Sequence, residues 1–484
     1  MSHHYLLPDI SQPGKIGCSL PALDVPPAEL PPGELLRQEL ELPEVSEVEL
    51  IRYFTALSKL NYGVDTRFYP LGSCTMKYNP KWHEDIARLA GFASIHPLQP
   101  EESVQGALQV MFELQEYLAE ITGMDTTSLV PMAGAHGEFT GLLLAKAYHQ
   151  DRGDKARKRI LLTDSSHGTN PASVAMCGFE IGVVASDSEG NVDMKNLESV
   201  MNEQVAALTL TMPTTLGLFD PRILEISQLV HEKGGLLGAD GANLNAFLGQ
   251  VKFGELGYDY VQLNLHKTFS TPHGGGGPGS GPVCVKENLA DFLPSPLVTK
   301  HNGTCKFLSP AKSIGRIANF HGNFGVMCKA YAYIRSLGAA GLKEVSENAV
   351  LNANYLKEKL KPYYHLPYDR TCMHEVVFSG RRQKAKGVHT VDIAKRLLDY
   401  GLHPPTVYFP LIVDEALMIE PTETESKQTL DSFIEAMKEI ARDVEENPGI
   451  LHTAPHNTPV KRLDDVRAAR NPDLRWEMRS QGVG

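Results

Sequence analysis

Lys267 is the residue whose position in this chain most clearly suggests chemistry. It follows residues 258–263, an apolar stretch that predicts a buried strand, and it precedes the glycine-rich run His273–Gly279. A lysine at the end of a strand, beside a loop able to fold closely over it, favours a reactive amine. The alternative is an ordinary solvated lysine that is the first polar residue of a loop. Lys267 alone does not decide between them.

Polar and small residues also follow the strands predicted upstream of Lys267. These strands span residues 159–163, 180–185, 206–211 and 235–239. A helix over residues 221–233 is predicted between the last two, because Pro221 stands at its start and Gly234 after its end. Strand–helix–strand repetition at this spacing indicates parallel β-α-β units, in which ligands bind at the carboxyl ends of the strands. Those ends carry His167, Thr215, Asp240, Ala242 and Lys267.

A loop of small residues, Gly134-Ala135-His136-Gly137, opens a predicted helix over residues 139–148. The start of a helix leaves backbone N–H groups free at the positive end of its dipole, which suits an anion such as phosphate. The loop is not a Walker sequence, because the Lys-Ser or Lys-Thr of that motif is missing. Close packing of small residues is the alternative explanation for this loop.

Together, these residue types match the requirements for binding pyridoxal phosphate. The amine of Lys267 can hold the aldehyde of the cofactor as a Schiff base, and Asp240 can pair with the pyridinium nitrogen so that the ring accepts electrons. The other predicted contacts are stacking on one ring face by His167, packing on the other face by Ala242, a hydrogen bond to the ring hydroxyl from Thr215, and phosphate binding by Gly134, Ala135 and His136.

Five motifs spread along nearly the whole chain carry a family resemblance. They are residues 70–77 (Pro-Leu-Gly-Ser-Cys-Thr-Met-Lys), 132–138 (Met-Ala-Gly-Ala-His-Gly-Glu), 264–269 (Asn-Leu-His-Lys-Thr-Phe), 273–279 (His-Gly-Gly-Gly-Gly-Pro-Gly) and 417–423 (Leu-Met-Ile-Glu-Pro-Thr-Glu). These motifs closely resemble those of the glycine-cleavage P-protein. The length of 484 residues is similar to that of the lysine-bearing subunit in the two-subunit form of that family.

The resemblance implies an α/β protein of pyridoxal phosphate fold type I, with a mostly parallel central sheet and a smaller C-terminal α/β domain. It also implies decarboxylation of glycine, followed by transfer of the aminomethyl group to the lipoyl arm of H-protein. The implied partners are a homologous subunit that lacks the lysine, in a heterotetramer, and lipoylated H-protein. Lys267, Asp240 and His167 are the residues expected to be catalytic.

The motifs do not identify the residue that aligns the glycine carboxylate. Ser73, Thr75 and Arg316 are candidates, although Arg316 equally suits a structural ion pair. Cys74 is as well explained as a small buried residue as by a part in the reaction. His266 is predicted either to contact the phosphate or to hold the turn that presents Lys267.

Composition narrows the class of protein. The net charge of −12 argues against a surface for nucleic acid, which requires basic patches. The seven cysteines are scattered and form no C-x-x-C, which is typical of a reduced cytoplasmic protein without a zinc site. The first residues do not resemble a signal peptide, and no apolar run approaches the ~20 residues that span a bilayer. We therefore expect a cytoplasmic protein with no membrane partner and no bound metal.

Composition shifts predict four segments. Residues 1–95 form an N-terminal arm and loop segment, 96–330 a large cofactor-binding domain, 331–450 a small C-terminal α/β domain and 451–484 a polar tail. The first 50 residues are rich in proline, which favours an extended arm. Such an arm either wraps a partner subunit or is a loose tail.

Two other functions fit part of this pattern. Another fold type I enzyme, such as an aminotransferase or a cysteine desulfurase, would share the lysine, the aspartate and the stacking group. A catalytically silent scaffold subunit is the alternative from a different class, and the presence of Lys267 speaks against it.

Overall fold

The computed structural model describes residues 6–37, 40, 42–274 and 279–474. The chain divides into two compact units, residues 1–66 and 67–484. In the first unit, an extended and largely exposed segment precedes helix α1, Glu47–Ser58. The Ser46 hydroxyl accepts the Glu49 N–H, and the Glu49 carboxylate accepts the Ser46 N–H, so that a capping box begins this helix. The four-segment division stays a prediction.

The second unit contains all twelve strands of the described residues. They are β1 (Thr126–Ser128), β2 (Arg159–Thr163), β3 (Glu180–Val184), β4 (Val205–Thr211), β5 (Leu236–Asp240), β6 (Tyr260–Gln262), β7 (Val283–Val285), β8 (Leu297–His301), β9 (Thr304–Leu308), β10 (Val376–Ser379), β11 (Thr406–Val407) and β12 (Ala416–Ile419).

Its described α-helices are α2 (Trp82–Ala87), α3 (Ala90–Ala93), α4 (Gln105–Thr122), α5 (Gly134–Asp151), α6 (Thr169–Met176), α7 (Met194–Val200), α8 (Ile223–Glu232), α9 (Leu265–Thr268), α10 (Glu287–Ala290), α11 (Phe324–Leu360), α12 (Arg381–Lys384), α13 (Thr390–Asp399), α14 (Lys427–Glu446), α15 (Gly449–Thr453) and α16 (Asp465–Arg470). Short 3-10 helices span Leu7–Ile10, Gly33–Leu35, Glu101–Ser103, Leu244–Ala246 and Phe253–Leu256 across the two units.

Seven strands form the central sheet, in the order β1-β7-β6-β5-β4-β2-β3. The five strands from β6 to β3 in this order are mutually parallel, whereas β7 is antiparallel to both of its neighbours. All residues of β4 and β5 are buried, as expected for strands covered by helices on both faces. The prediction of a mostly parallel central sheet is confirmed.

The register of this sheet places three polar residues side by side. Thr211 of β4 is paired with Asp240 of β5, and Asp240 is paired with Gln262 of β6. Each of the three residues is the last of its strand. The carboxyl ends of three neighbouring parallel strands therefore form one polar edge, which is where ligands bind in such sheets.

The C-terminal part of the second unit has a separate antiparallel sheet with the strand order β10-β12-β11. Helices α13 and α14 present apolar faces to its core, where the Phe433 ring of α14 packs edge-on against Phe68. Helix α11 begins at Phe324, ahead of residue 331, the predicted start of the small C-terminal domain. It is interrupted at Gly338, whose φ of 60° and ψ of −173° are not helical.

The structure differs from the predictions at two other places. The strand expected over residues 258–263 is shorter, and a one-turn helix, α9, follows it and carries Lys267. The tail expected after residue 450 is anchored in part, since the Arg462 guanidinium donates to the Asp392 carboxylate at 2.6 Å and to the Leu451 carbonyl at 2.8 Å. Residues 475–484 lie outside the described residues. Among the described helices, none has the length and apolar character needed to cross a bilayer.

Candidate active site

A cavity opens at the polar edge of the central sheet. Its lining consists of Ser73, Gly134, Ala135, Glu138, His167, Thr169, Thr211, Thr215, Asp240, Ala242, Asn243, Gln262, Asn264 and Lys267. Eight of the residues predicted from the sequence are in this set: Lys267, Asp240, His167, Ala242, Thr215, Gly134, Ala135 and Ser73. The cavity therefore brings together residues that are up to 194 positions apart in the chain.

Lys267 lies in helix α9 and is half-buried. Its Nζ donates a hydrogen bond to the Ser73 carbonyl at 2.8 Å. Ser73 reaches this place with a φ of 64°, a left-handed conformation that is uncommon for residues with a side chain. The amine is thus held at the cavity wall by a loop that comes from a distant part of the chain.

Asp240 is buried at the end of β5 and accepts three N–H groups. The donors are Gln262 Nε2 at 2.5 Å, the Ala242 backbone at 3.0 Å and Asn170 Nδ2 at 3.4 Å. Three donors stabilise the ionised form of a carboxyl group. The hydrogen bonds to Asp240 therefore favour a charged carboxylate, and this carboxylate lines the cavity.

Glu138 is a second acid in the cavity, and sequence reasoning did not assign it a role. It is buried on α5, and its carboxyl faces Asp240 and lies 3.5 Å from the Ser173 hydroxyl. Burial, and then the negative charge of Asp240, raise the pKa of Glu138 well above its usual range. These surroundings favour the protonated form of Glu138, whereas the three N–H donors favour the charged form of Asp240.

The substitution Glu138→Gln tests whether Glu138 is protonated in the folded protein. An amide resembles the protonated carboxyl, so we expect activity within about twofold of the original protein and a loss of unfolding free energy below ~1.5 kcal/mol. A raised folded pKa gives stability that is complete below the unfolded pKa of ~4.3 and is lost as pH rises through the folded pKa. Glutamine does not titrate, and the stability of the variant relative to the original protein should therefore increase as the pH rises above ~4.3 in urea unfolding.

The matched control is Glu446→Gln, since Glu446 is exposed at the end of α14. Its relative stability should not change across the same pH range. A Glu138→Gln variant that loses relative stability as the pH rises would show that Glu138 is ionised in the folded protein.

The beginning of α5 has the properties of an anion site. Among the described residues, no side chain caps this helix of 18 residues, whose first residues Gly134 and Ala135 line the cavity. Nearby, the buried Asn264 Oδ1 and Ser280 Oγ have no hydrogen-bond partner within the described residues. A phosphate group would meet the free N–H groups of the helix start and would give the Ser280 hydroxyl an acceptor. The site therefore fits the phosphate of pyridoxal phosphate.

Gly281 lies against the chain segment that begins α5. A Cβ at this position would be 1.9 Å from the Ala133 carbonyl oxygen and 2.9 Å from the Gly134 nitrogen. Only displacement of the backbone could relieve this overlap, and overpacking of this kind costs ~1–3 kcal/mol. Residue 281 therefore needs to be glycine for the helix start to remain in place.

We expect Gly281→Ala to weaken cofactor binding by about tenfold or more, which corresponds to ~1.4 kcal/mol. Equilibrium titration with pyridoxal phosphate, followed by visible absorbance, measures the change. Gly106→Ala is the control, because a Cβ there meets nothing within 4 Å. Equal affinities in Gly281→Ala and the control would contradict a role of this segment in phosphate binding.

His167 lines the cavity above the carboxyl end of β2. Its Nδ1 is 2.9 Å from the Thr169 hydroxyl, and its ring meets Phe409 edge-on with the centroids 5.6 Å apart. Burial, and then the charge of Lys267, lower the pKa of His167. A neutral, flat imidazole is suited to stacking on the ring of a cofactor. Thr215 also lines the cavity, but its hydroxyl donates to the Ser165 carbonyl.

Four predicted residues are not part of the cavity lining. The His136 Nδ1 accepts the Met132 N–H at 3.2 Å, and the His266 Nδ1 accepts the Ser280 N–H at 3.4 Å. The hydroxyl of Thr75 donates to Glu420 at 2.6 Å. Arg316 is exposed. In this structure, three of the four are engaged with protein groups around the cavity.

Some lining residues that were not predicted had a signal in the sequence. Glu138 lies one helical turn after Gly134, within the motif of residues 132–138, and residues four apart share a helix face. Gln262 is a polar residue inside an otherwise mostly apolar strand. Thr211 is the last residue of its predicted strand. Each signal is weak alone and becomes clear once the register places Thr211 and Gln262 on either side of Asp240.

Two family models match this chain. The model described as "Glycine cleavage system P-protein" matches residues 24–304, and the model described as "Glycine dehydrogenase, C-terminal domain" matches residues 345–458. The first match alone covers more than half of the sequence.

Similar proteins extend over the full length of the chain. A protein of Caldanaerobacter subterraneus subsp. tengcongensis is 60% identical over 480 residues, which are 98% of this chain and 99% of that protein. A protein of Bacillus velezensis is 58% identical over 482 residues, 99% of this chain and 98% of that protein. Both are named "Probable glycine dehydrogenase (decarboxylating) subunit 2".

Solved structures share the fold. A glycine decarboxylase (P-protein) of the glycine cleavage system, in inhibitor-bound form, superposes with a TM-score of 0.70 at 22% identity and covers 84% of this chain and 93% of that chain. A cysteine desulfurase from Thermococcus onnurineus NA1 superposes with a TM-score of 0.61 at 17% identity, with 78% and 95% covered. The expected fold type I of the pyridoxal phosphate enzymes is confirmed. The chain therefore belongs to the glycine cleavage system P-protein family, as the extent of these matches shows, and its cavity contains the lysine expected for that family.

Proposed function

We propose that this chain is the lysine-bearing subunit of a glycine dehydrogenase (decarboxylating). It removes carbon dioxide from glycine and transfers the aminomethyl group to the lipoyl disulfide of H-protein. Its relatives are named subunit 2, which supports a partner subunit 1. The observation that carries the proposal is the placement of Lys267, Asp240 and the free start of α5 around one cavity in a chain of this family.

Pyridoxal phosphate supplies an aldehyde that bonds to an amine and a ring that accepts the electron pair left by the departing carboxylate. Around it, Lys267 provides the amine that holds the cofactor between turnovers. The N–H groups at Gly134 and Ala135 would bind the phosphate, and the ring of His167 would stack on one face. The small side chain of Ala242 leaves room at the opposite face.

Asp240 would hold a proton on the ring nitrogen, since its carboxylate is buried and directed into the cavity. The protonated Glu138 keeps the charge of the pair on Asp240. The burial of Asp240 and Glu138 would strengthen the attraction between the Asp240 carboxylate and the protonated ring nitrogen, because opposite charges attract more strongly in a low dielectric. Decarboxylation is the step that depends most on this proton.

Lys267 would be the amine that holds the cofactor and that is released when glycine binds. The Ser73 carbonyl, 2.8 Å from Nζ, is an acceptor for the released amine. The carbon–carbon bond of glycine then breaks and carbon dioxide leaves. The new carbon–sulfur bond forms as the lipoyl sulfur–sulfur bond breaks, and the second sulfur takes a proton that the glycine ammonium group supplied.

Exchange of label between bicarbonate and glycine tests this function. The purified chain, together with the partner subunit that copurifies and with lipoylated H-protein, should incorporate labelled bicarbonate into glycine. Omission of H-protein should greatly slow the exchange. Transamination or desulfuration without exchange would instead indicate another fold type I enzyme.

A further inference from the structure

Two fully buried acids, Glu375 and Glu420, lie behind the loop of residues 73–75. They flank the last pair of two antiparallel strands, since Val376 of β10 is paired with Ile419 of β12. One oxygen of each carboxyl and one ring nitrogen of His374 lie within 4.8 Å of one another. Two neighbouring carboxyl groups in a buried site are unfavourable if both are charged, because the charges repel strongly. Other contacts must therefore stabilise Glu375 and Glu420.

Both acids accept hydrogen bonds from the loop. Glu375 Oε2 accepts the Ser73 N–H at 2.8 Å, and Glu420 Oε2 accepts the Thr75 N–H at 2.9 Å. Glu420 Oε1 accepts the Thr75 hydroxyl at 2.6 Å and Asn245 Nδ2 at 3.4 Å. The two acids therefore hold both ends of a three-residue loop.

The loop needs such contacts because its backbone is unfavourable. Ser73 has a φ of 64° and Thr75 a φ of 50°, and neither residue is glycine. Left-handed conformations of this kind persist only where surrounding contacts enforce them. The carbonyl of Ser73, at the beginning of this loop, accepts the hydrogen bond from Nζ of Lys267. The position of the lysine amine thus depends on the two acids.

The hydrogen bonds distinguish the two acids. Both oxygens of Glu420 accept donors, which suits an ionised carboxylate. Glu375 Oε1 has no donor within the described residues, and the His374 Nε2 lies 3.7 Å from it. A proton on Glu375 Oε1 would remove the repulsion between the carboxyls and would point toward this ring nitrogen.

The electrostatic surroundings also favour a proton on Glu375 and a negative charge on Glu420. Burial, and then the charge of Glu420, raise the pKa of Glu375 well above its usual range. Burial also raises the pKa of Glu420, whereas Thr75 and Lys267 act to lower it. His374 stays neutral, because burial and Lys267 lower its pKa to about 3. Lys267 is therefore the cation that faces the pair, and one negative charge on the pair matches it.

We propose that Glu375 and Glu420 are positioning residues that share one proton, held on Glu375, and that clamp the loop of residues 73–75 so that the Ser73 carbonyl receives the amine of Lys267. This role rests on the proposed function only in making Lys267 the residue that bonds to the cofactor. The clamp places the amine each time it is free, both before cofactor attachment and after displacement by glycine.

The two glutamine variants of the full chain give opposite expectations. Glu375→Gln keeps an acceptor for Ser73 and replaces the protonated oxygen by an amide, so that the clamp remains. Glu420→Gln replaces one of the two accepting oxygens by an amide NH₂, which opposes one of the two Thr75 donors and loosens the clamp. Glu415→Gln is the control, because Glu415 is a buried acid beside β12 that binds His389 and Thr390 instead.

Two measurements follow the clamp directly. Hydrogen–deuterium exchange in the peptide with residues 73–75 should become about tenfold faster in Glu420→Gln and should change by less than about twofold in Glu375→Gln. The rate at which Lys267 bonds to added pyridoxal phosphate, seen by visible absorbance, should fall about tenfold in Glu420→Gln alone, because a small misplacement of a reacting group slows reaction strongly. Equal effects of both variants would overturn the shared proton, and no effect in either would overturn the clamp.

A third pair of variants decides the question if Glu420→Gln does not fold. Thr75→Val removes the hydroxyl donor to Glu420 Oε1, and Thr75→Ser keeps it. We expect faster exchange of residues 73–75 in the valine variant, by about threefold or more, and recovery in the serine variant. Identical exchange in both would overturn the clamp. None of these measurements uses glycine or H-protein, so a failure of the proposed function would be recognised separately by absent label exchange in the unaltered protein.

Discussion

Replacement of Lys267 by alanine should abolish covalent attachment of pyridoxal phosphate and lower the glycine–bicarbonate exchange rate on the order of 10³-fold or more. The side chain provides the amine that bonds to the cofactor, and the cavity lining contains no second lysine among the described residues. The fold should persist, because within the described part of the chain Nζ makes one hydrogen bond, to the Ser73 carbonyl. Visible absorbance, borohydride reduction followed by mass spectrometry, and label exchange measure the outcome.

The control for this prediction is Lys286→Ala. Lys286 follows β7 and pairs with Asp125 at 3.1 Å, away from the cavity lining. This surface pair contributes ~0–1 kcal/mol, so activity and cofactor content should remain. A reduced cofactor adduct that persists in Lys267→Ala would show that another residue anchors the cofactor.

Asp240→Asn should retain most of the cofactor and lose most of the decarboxylation, on the order of 10²- to 10⁴-fold. Asparagine matches the shape of aspartate and can still accept the Ala242 N–H through its amide oxygen. It cannot carry the charge that holds a proton on the ring nitrogen, so the ring becomes a weaker electron acceptor. Label exchange gives the rate, and absorbance gives the cofactor content.

Asp164→Asn is a matched control, since Asp164 follows β2 in the same sheet and accepts the Ser186 N–H at 2.9 Å outside the cavity. It should exchange label at nearly the original rate. Normal exchange in Asp240→Asn would refute the assigned role of Asp240. Loss of cofactor together with activity would instead indicate that Asp240 acts mainly in binding.

The contrast between Glu138 and Asp240 explains how one cavity holds two acids with different charges. Asp240 accepts three N–H groups, whereas the buried Glu138 faces the Asp240 carboxylate and lies 3.5 Å from the Ser173 hydroxyl. Donors favour ionisation, and burial near a negative charge opposes it. The same arrangement recurs at Glu420 and Glu375. In the first pair the negative charge lies on Asp240, which faces the cofactor site. In the second pair it lies on Glu420, near Lys267.

Local patterns in the sequence determined the parallel order of the sheet and the residues at its carboxyl edge. Strand and helix periods repeat over short distances, and parallel β-α-β units place the strand ends together. Asp240 and Lys267 could be assigned for this reason, because Asp240 ends β5 and Lys267 lies in the short segment that follows β6 of the same sheet. The candidate phosphate site was likewise predicted from small residues at a helix start.

Only the tertiary structure decided what surrounds these residues. The Ser73 carbonyl meets Lys267 across 194 positions, and Thr75 meets Glu420 across 345 positions. Contacts at such separations leave no periodic pattern in the sequence, since they depend on how the two sheets and the loop pack together. The charge of Glu138 depends in the same way on burial and on its distance from Asp240. The sequence thus predicted which groups react, whereas the packing decided which groups surround them and where the lysine amine lies.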